Sequence, residues 1–280
     1  MRADARRVFY YSADASSLGG FIEGPFSCII PAQASASLPS VGGYATVRTG
    51  AHDFKEIVSC RSAYTRVSGR MIEKDGPWST LATAVVEGLN ILEIVTVERL
   101  VAQVSVEHPR DGGPAVISFA GTRFEGFRLG GKNVCLALKP GLLPAGAEAD
   151  NGRTGISWPA LLQAGQEQAR KLVQNIAQQS DRSAYDWALQ RYGWMESKHE
   201  LQTDGCVLCS LVDGIEEAVP GRTFGHFVEI PDFGRIFLGE LLVFPRSIQL
   251  NMIRAELGCN VQAQVSASTI RINGTTMPPS

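Results

Sequence analysis

"EIVTVERLVAQVSVEH", Glu93–His108, is the stretch on which the fold turns. Ile94, Thr96, Glu98, Leu100, Ala102, Val104 and Val106 share one parity; Val95, Val97, Arg99, Val101, Gln103, Ser105 and Glu107 share the other. Branched apolar residues recurring with period two describe a strand, because successive side chains leave opposite faces of a pleated backbone. Neither parity is purely polar, so this strand is read as central in a sheet and covered on both sides for part of its length.

Working outward, "YATVRTG", "EIVSCRSAYTRVSG" and "TLATAVVEGLNI" precede it as extended segments. "HPRDGGPAV" follows as a turn punctuated by Pro109 and Gly112-Gly113-Pro114. Two further phrases echo one another: "FRLGGKNV", Phe127–Val134, and "IRINGTTM", Ile270–Met277. Each reads as a tight hairpin, with Gly131 and Gly274 expected at the φ > 0 positions that two-residue turns require. The echo is too loose to establish an internal duplication.

The period changes after the loop "GLLPAGAEADNGRTGI". In "SWPALLQAGQEQARKLVQNIAQQ" the residues Trp158, Leu161, Leu162, Gly165, Ala169, Leu172, Val173 and Ile176 recur at spacings of three and four. Ser157 stands as N-cap and Pro159 in the first turn, so an amphipathic helix is expected over 158–179, lying against the sheets. "DRSAYDWALQRYGWM" is read as a second, shorter helix from Asp181, anchored by Tyr185, Trp187, Ala188, Tyr192 and Trp194. Strand patterns then return in "CVLCSLV", "TFGHFVEI", "GRIFLGELLVF", "SIQLNMIRAELGC" and "VQAQVSASTIRING". The expected fold is mainly β, an antiparallel β-sandwich with one long inserted α-helix; a β-solenoid is the alternative. The chain divides into a first β block over 1–145, a loop and helical insert over 146–198, and a second β block over 199–280 that completes one domain with the first.

Bulk properties narrow the function. The 280 residues are 44% hydrophobic and 19% charged with mixed signs, which describes a chain able to bury a core. A formal net charge of -2 and a pI near 6.1 provide no general attraction for phosphates, so nucleic acid is not expected as a partner. Charges interrupt "FLGELLVF" and "IVTVERLV", and no apolar run spans a bilayer. The N-terminus shows no signal-peptide run, so the chain as it stands is read as cytoplasmic, with its six cysteines reduced.

Chemistry-bearing motifs are sparse. Cys206 and Cys209 form a Cys-x-x-Cys pair, but no second pair completes a zinc site, and the apolar context reads as two buried or half-buried structural thiols. Cys28, Cys60, Cys135 and Cys259 are read as reduced thiols, most of them on strands as small hydrophobes. His199 and His226 stand nearest that pair without metal-ligand spacing; His226, in "FGHFVEIPDFG", reads as a structural strand residue, while His52 and His108 read as solvated. Glu229, Asp232 and Glu240 straddle one expected hairpin, without a demonstrable convergence. No nucleophile elbow or phosphate loop is present, and the glycine pairs fall where turns are expected. No catalytic, cofactor-binding or metal-binding residue is therefore nominated. The rings of Tyr185, Trp187, Tyr192 and Trp194 are read as helix-on-sheet packing, with a ligand or partner surface as the other possibility.

Taken in order, "ASSLGG", "PAQASASLPSVGGYATV", "VVEGLNILEIVTVERLVAQVSV", "GTRFEGFRLGGKNV", "FVEIPDFGRIFLGELLV" and "SIQLNMIRAELG" resemble the bacterial proteins labelled choice-of-anchor P. The resemblance spans roughly residues 15–275 outside the helical insert. It implies a β-rich surface protein and carries no functional residues; the insert and the missing leader depart from the pattern. The expectation is a non-catalytic β-sandwich acting through protein–protein interaction or assembly, on a bacterial surface or in a complex. The alternative is an enzyme or carrier holding an apolar small molecule between sheet and insert.

Overall fold

The computed structural model describes residues 8–73, 76–139, 141–143, 155–196, 205–216, 218–244, 247–258 and 261–277. The chain opens with β1 (Val8–Gly24), β2 (Cys28–Ser37), β3 (Gly43–Thr49), β4 (His52–Phe54), β5 (Val58–Cys60) and β6 (Ser62–Met71). It continues through β7 (Trp78–Ile91), β8 (Val95–His108), β9 (Val116–Ser118), β10 (Arg123–Glu125), β11 (Arg128–Leu129), β12 (Lys132–Asn133) and β13 (Leu136–Leu138). The helices are α1 (Trp158–Ala177) and α2 (Asp186–Tyr192), the latter entered by a 3-10 turn over Arg182–Tyr185. The last block is β14 (Val207–Ser210), β15 (Val212–Ile215), β16 (Arg222–Phe224), β17 (Phe227–Ile230), β18 (Gly234–Phe244), β19 (Ser247–Gly258) and β20 (Gln262–Met277).

Among the described residues, β13 and β15 pair as a separate two-stranded sheet, and the other strands form two facing antiparallel sheets. One has eight strands ordered β16-β17-β18-β19-β20-β1-β2, with β14 also on β18; the other has ten, built around β7 and β8. The fold is the mainly β, antiparallel arrangement with one long helix, and it is not a solenoid. Strand β1 pairs with β20 from Val8↔Met277 to Gly24↔Gln262, so the first and last strands described lie side by side. The sheets meet through small side chains, among them Ala13, Ala15, Ala82, Ala84, Ala102 and Ala267, all buried. Larger residues such as Leu18, Ile22, Leu100 and Ile270 fill the space around them, each stabilising by roughly 1.5–3 kcal/mol.

A row of irregular residues crosses the eight-stranded sheet. Gly239, Met252, Ser268, Ser17 and Ala34 align across β18, β19, β20, β1 and β2, between flanking pairs such as Leu238↔Ile253 and Glu240↔Asn251. Alternate members are left-handed: φ is 61° at Gly239, 53° at Ser268 and 46° at Ala34. At this row the core-facing parity inverts. In β19 the buried series runs Ile248, Leu250, Met252 and then Ile253, Ala255, Leu257. Two buried hydroxyls span the gap between sheets here, Ser17 Oγ donating to Tyr64 O at 2.9 Å and Ser268 Oγ to Leu100 O at 3.4 Å.

The ten-stranded sheet does the same once, at Gly88 (φ 62°) opposite Glu98. This corrects the reading of β8. Val95 and Val97 are buried before the inversion and Leu100, Ala102, Val104 and Val106 after it, so most of the mixed pattern is a phase change. Only Val101, beside buried Val85, marks a stretch covered on both sides.

The two echoed phrases part company. In "FRLGGKNV", β11 and β12 pair through a tight turn in which Gly130 and Gly131 have φ of 55° and 76°, as expected. "IRINGTTM" is not a hairpin: Gly274 lies within continuous β20, opposite Tyr11, without a positive φ. It is glycine because a Cβ there would meet Phe9 Cζ at 2.3 Å and His108 Nε2 at 3.0 Å.

Helix α1 begins after Ser157 with its proline in the first turn, and ends two residues before the expected limit. It presses on β14 at Gly165, where a Cβ would lie 2.9 Å from Leu208 O. Buried Gln168 satisfies the free edge of that strand: its Nε2 donates to Ser210 O at 2.9 Å, and Ser210 N donates to its Oε1 at 2.7 Å. Among the described residues, no helix is long and apolar enough to cross a membrane.

Candidate functional site

The outer face of the eight-stranded sheet is covered by the insert at one end and open over the rest. Under the insert, Tyr185 lies against Phe224 with ring centroids 4.5 Å apart, and Trp187 against Phe227 at 5.2 Å with the Arg235 guanidinium 4.0 Å from its ring. Tyr192 meets His226 edge-on at 4.9 Å. Three of the four candidate rings are packed as the helix-on-sheet reading expects. Trp194 differs: it is 40% exposed, with its Nε1 donating to Arg191 O at 2.8 Å.

Where the cover ends, a charged network surfaces. Glu240 on β18 is 7% exposed and accepts from Arg254 Nε at 2.8 Å, Arg191 Nη2 at 2.9 Å and Tyr192 Oη at 2.6 Å. Arg254 on β19, also 7% exposed, lies 3.7 Å over the Phe237 ring and bonds Glu256 through Nη1. Burial alone would raise the Glu240 carboxyl, but the Arg254 hydrogen bond and both guanidinium charges hold it down to about 2. Burial, then the Glu240 charge, pushes Tyr192 well above the usual phenol range. His226 is driven down to about 4 by burial and is neutral at physiological pH.

Beyond this network lies an open trough of about 820 Å3 across β14, β18, β19, β20, β1 and β2. Its position follows from the parity inversion, which turns Asn251 and Arg254, three apart in β19, onto one face. Ser16, Gly19, Ser266 and Thr269 are its small lining residues, while Arg191, Glu240, Arg254 and Glu256 supply the charge. Asn251 Nδ2 donates to Ser266 Oγ at 3.2 Å. Beneath the trough, Arg254 Nη2 and Asn251 Oδ1 are buried without a hydrogen-bond partner among the described residues.

The residues weighed from sequence are distributed as follows. Glu229 and Asp232 line a second hollow of about 490 Å3 with Asp181 and Arg222, whereas Glu240 belongs to the trough, so the three acids do not converge. Cys209 is a buried thiol pushed up to about 12, chiefly by desolvation, with Cys206 three residues away on the same segment. Among the described residues, no group of His, Cys, Asp and Glu is placed to hold a metal ion. His108 is not at a solvated turn: it ends β8 against Phe9, ring centroids 4.9 Å apart, and burial lowers its pKa. His52 is half-buried with its Nε2 enclosed. His199 and Cys259 lie outside the described residues.

Arg191, Asn251, Arg254 and Ser266 were not singled out by motif. One signal was available: Arg254 interrupts the apolar run "NMIRA", where a guanidinium is tolerated only if paired.

No curated protein and no solved structure matches the chain. A family model does, over residues 9–244, and its description is a domain of unknown function. The match ends at Phe244, before β19 and β20, the strands that bring Asn251, Arg254 and Ser266 to the trough. With most of its length matched, the chain belongs to the DUF8256 family.

Proposed function

We propose that this protein is a non-catalytic β-sandwich that acts by binding, and that the trough on its eight-stranded sheet is the binding surface. The observation that carries this is the state of the trough's ionisable groups. Glu240 is committed to two arginines and a tyrosine, and Arg254 to two carboxylates, which preorganises a recognition surface, and Glu240, held down to about 2, is not poised to exchange a proton near neutral pH. A ligand-observed NMR screen of sugars, amino acids and dicarboxylates, repeated on Thr269→Trp, tests it. Signals lost when the indole fills the trough support the reading; equal signals in both proteins, or none from any class, overturn it.

A second reading rests on another surface. Val41, two residues before edge strand β3, and Tyr44 within it are 85% and 76% exposed, which supports a protein partner or self-assembly at a bacterial surface or in a complex. Sedimentation velocity across a hundredfold concentration range, with Tyr44→Asp as control, tests the self-assembly form. The apolar-carrier alternative has less support, because the rings that would line such a cavity pack on Phe224, Phe227 and His226.

A further inference from the structure

We infer that β3 is the contact through which this protein forms a two-fold dimer, its free edge pairing antiparallel with β3 of a second copy in the register that sets Thr46 opposite Thr46 and Tyr44 opposite Arg48. The inference rests on the self-assembly reading of that edge and deepens it to one partner and one register.

The edge comes first. β3 pairs with β6 on one side, from Gly43↔Gly69 to Thr49↔Ala63 without a register shift, and among the described residues no strand pairs with its other side. A row of unpaired N–H and C=O groups is a template for another strand, which proteins ordinarily block with proline, lysine, a bulge or a short edge. The other described edges carry such devices. β2 holds Pro31 and a left-handed Ala34, Gln168 engages β14, and the rest are two to four residues long. β3 has seven residues, no proline, and Arg48 as its one charge. Its cover is incomplete on both faces: Tyr44, Thr46 and Arg48 are exposed on the outer one, while Ala45 and Val47, packed towards the core, are only half-buried.

Sequence then selects the occupant. Residues directly opposite in an antiparallel pair share a face, so a two-fold β3 dimer is centred on a residue. Centring on Thr46 engages all seven residues, sets Tyr44 opposite Arg48 twice and Ala45 opposite Val47 twice, and places Thr46 opposite itself. Each pair is favourable: a ring on a guanidinium, small apolar side chains meeting on the half-buried face, and threonine on threonine. Arg48 already lies on the outer face over Tyr64, 5.3 Å from the ring centroid, which holds its guanidinium in place for the incoming Tyr44 ring. Moving the centre to Ala45 sets Arg48 opposite Gly42, and moving it to Val47 sets Arg48 opposite Thr46, so the ring loses the guanidinium in both; centring on Arg48 opposes like charges. A contact that uses the same strand in both copies closes at two, and seven residues place it among small interfaces, so the dimer is reversible.

Sedimentation velocity of the full chain tests this on the wild type, Tyr44→Arg and the exchanged pair Tyr44→Arg/Arg48→Tyr. Tyr44→Arg opposes two guanidiniums at both ends of the contact and is expected to raise the dimer Kd about tenfold or more. The exchanged pair restores a ring opposite a guanidinium in this register alone and is expected to bring Kd back to within about threefold of wild type. Tyr44→Asp removes the ring but meets Arg48 with the opposite charge, so Tyr44→Arg is the sharper probe. As a second measurement, amide exchange over residues 43–49 of the wild type should slow as protein concentration rises. A dimer indifferent to Tyr44→Arg, a dimer that the exchanged pair fails to restore, exchange at 43–49 that ignores concentration, or a mass rising past two copies overturns the inference while self-assembly through another surface stands. A wild-type chain that stays monomeric throughout overturns both.

Discussion

Replacing Glu240 by glutamine removes one negative charge from beneath two guanidiniums while keeping the side chain's shape. The native carboxyl is held at about 2 against an ordinary 4.5, a difference equivalent to about 3 kcal/mol of native-state stability near neutrality. Because the folded value is the lower one, this contribution is fully present above about pH 4.5 and is lost as pH falls through about 2. Glutamine still accepts one hydrogen bond and Glu256 remains on Arg254, so the expected loss at pH 7 is about 3 kcal/mol, the low end for breaking a buried ion pair. Urea unfolding of both proteins at pH 7 and pH 3 measures it. At pH 3 the unfolded carboxyl is protonated while the folded one is still largely ionised, so the gap should shrink to roughly half its neutral value. Because the Glu240 charge also raises the neighbouring His226, both proteins are compared in a His226→Gln background, where that coupling is absent. A gap below about 1 kcal/mol, or one that does not change between the two pH values, would refute the network as described.

Four further outcomes are expected. His226 is held down to about 4, so stability should fall by about 1.4 kcal/mol per pH unit as pH drops from 6.5 towards 4, a slope that unfolding curves of His226→Gln should lack. Gly131→Ala, in open space at φ 76°, should cost about 1 kcal/mol in thermal melts, whereas Gly274→Ala should cost about 2 kcal/mol or more by driving a methyl into Phe9. Trp187→Ala should destabilise by about 3 kcal/mol and Trp194→Ala by under about 1, as calorimetry would resolve, because only the former is packed between Phe227 and Arg235. Cys209, with its thiol pushed up to about 12, should resist a thiol reagent at pH 8 in the native protein and react once guanidinium unfolds it, as mass spectrometry of labelled peptides would show.

Much of the scaffold is legible in the sequence because its signals are local. Helix α1 announces itself by three-and-four spacing behind Ser157, and the 127–134 hairpin by a Gly-Gly pair between polar and apolar alternation. The parity inversion is different in kind. Ser268 and Ala34 hold left-handed φ without being glycine, each at roughly 1–2 kcal/mol, and nothing in a single strand shows that its neighbours share the row. Gly274 misled because a glycine required by an aromatic neighbour looks, in one dimension, like a glycine required by a turn. The trough lies furthest from local signals, since Arg191, Glu240, Arg254 and Ser266 come from α2, β18, β19 and β20. Glu240 could be named from sequence as a candidate acid; that its partners are arginines depends on tertiary registration.

The row at which the parity inverts has a bearing on which length variants the sheet can accept. Two antiparallel strands slipped by two residues keep their faces and most of their hydrogen bonds, so alternation guards poorly against misalignment. Here five strands each carry one position that breaks the pleat, and these positions must coincide from β18 to β2. A pair inserted within any one strand, which an ordinary sheet would absorb by sliding, would set that strand's kink against its neighbours' regular backbone. The row works as a common zero from which every strand is measured outward, so insertions and deletions belong at the turns.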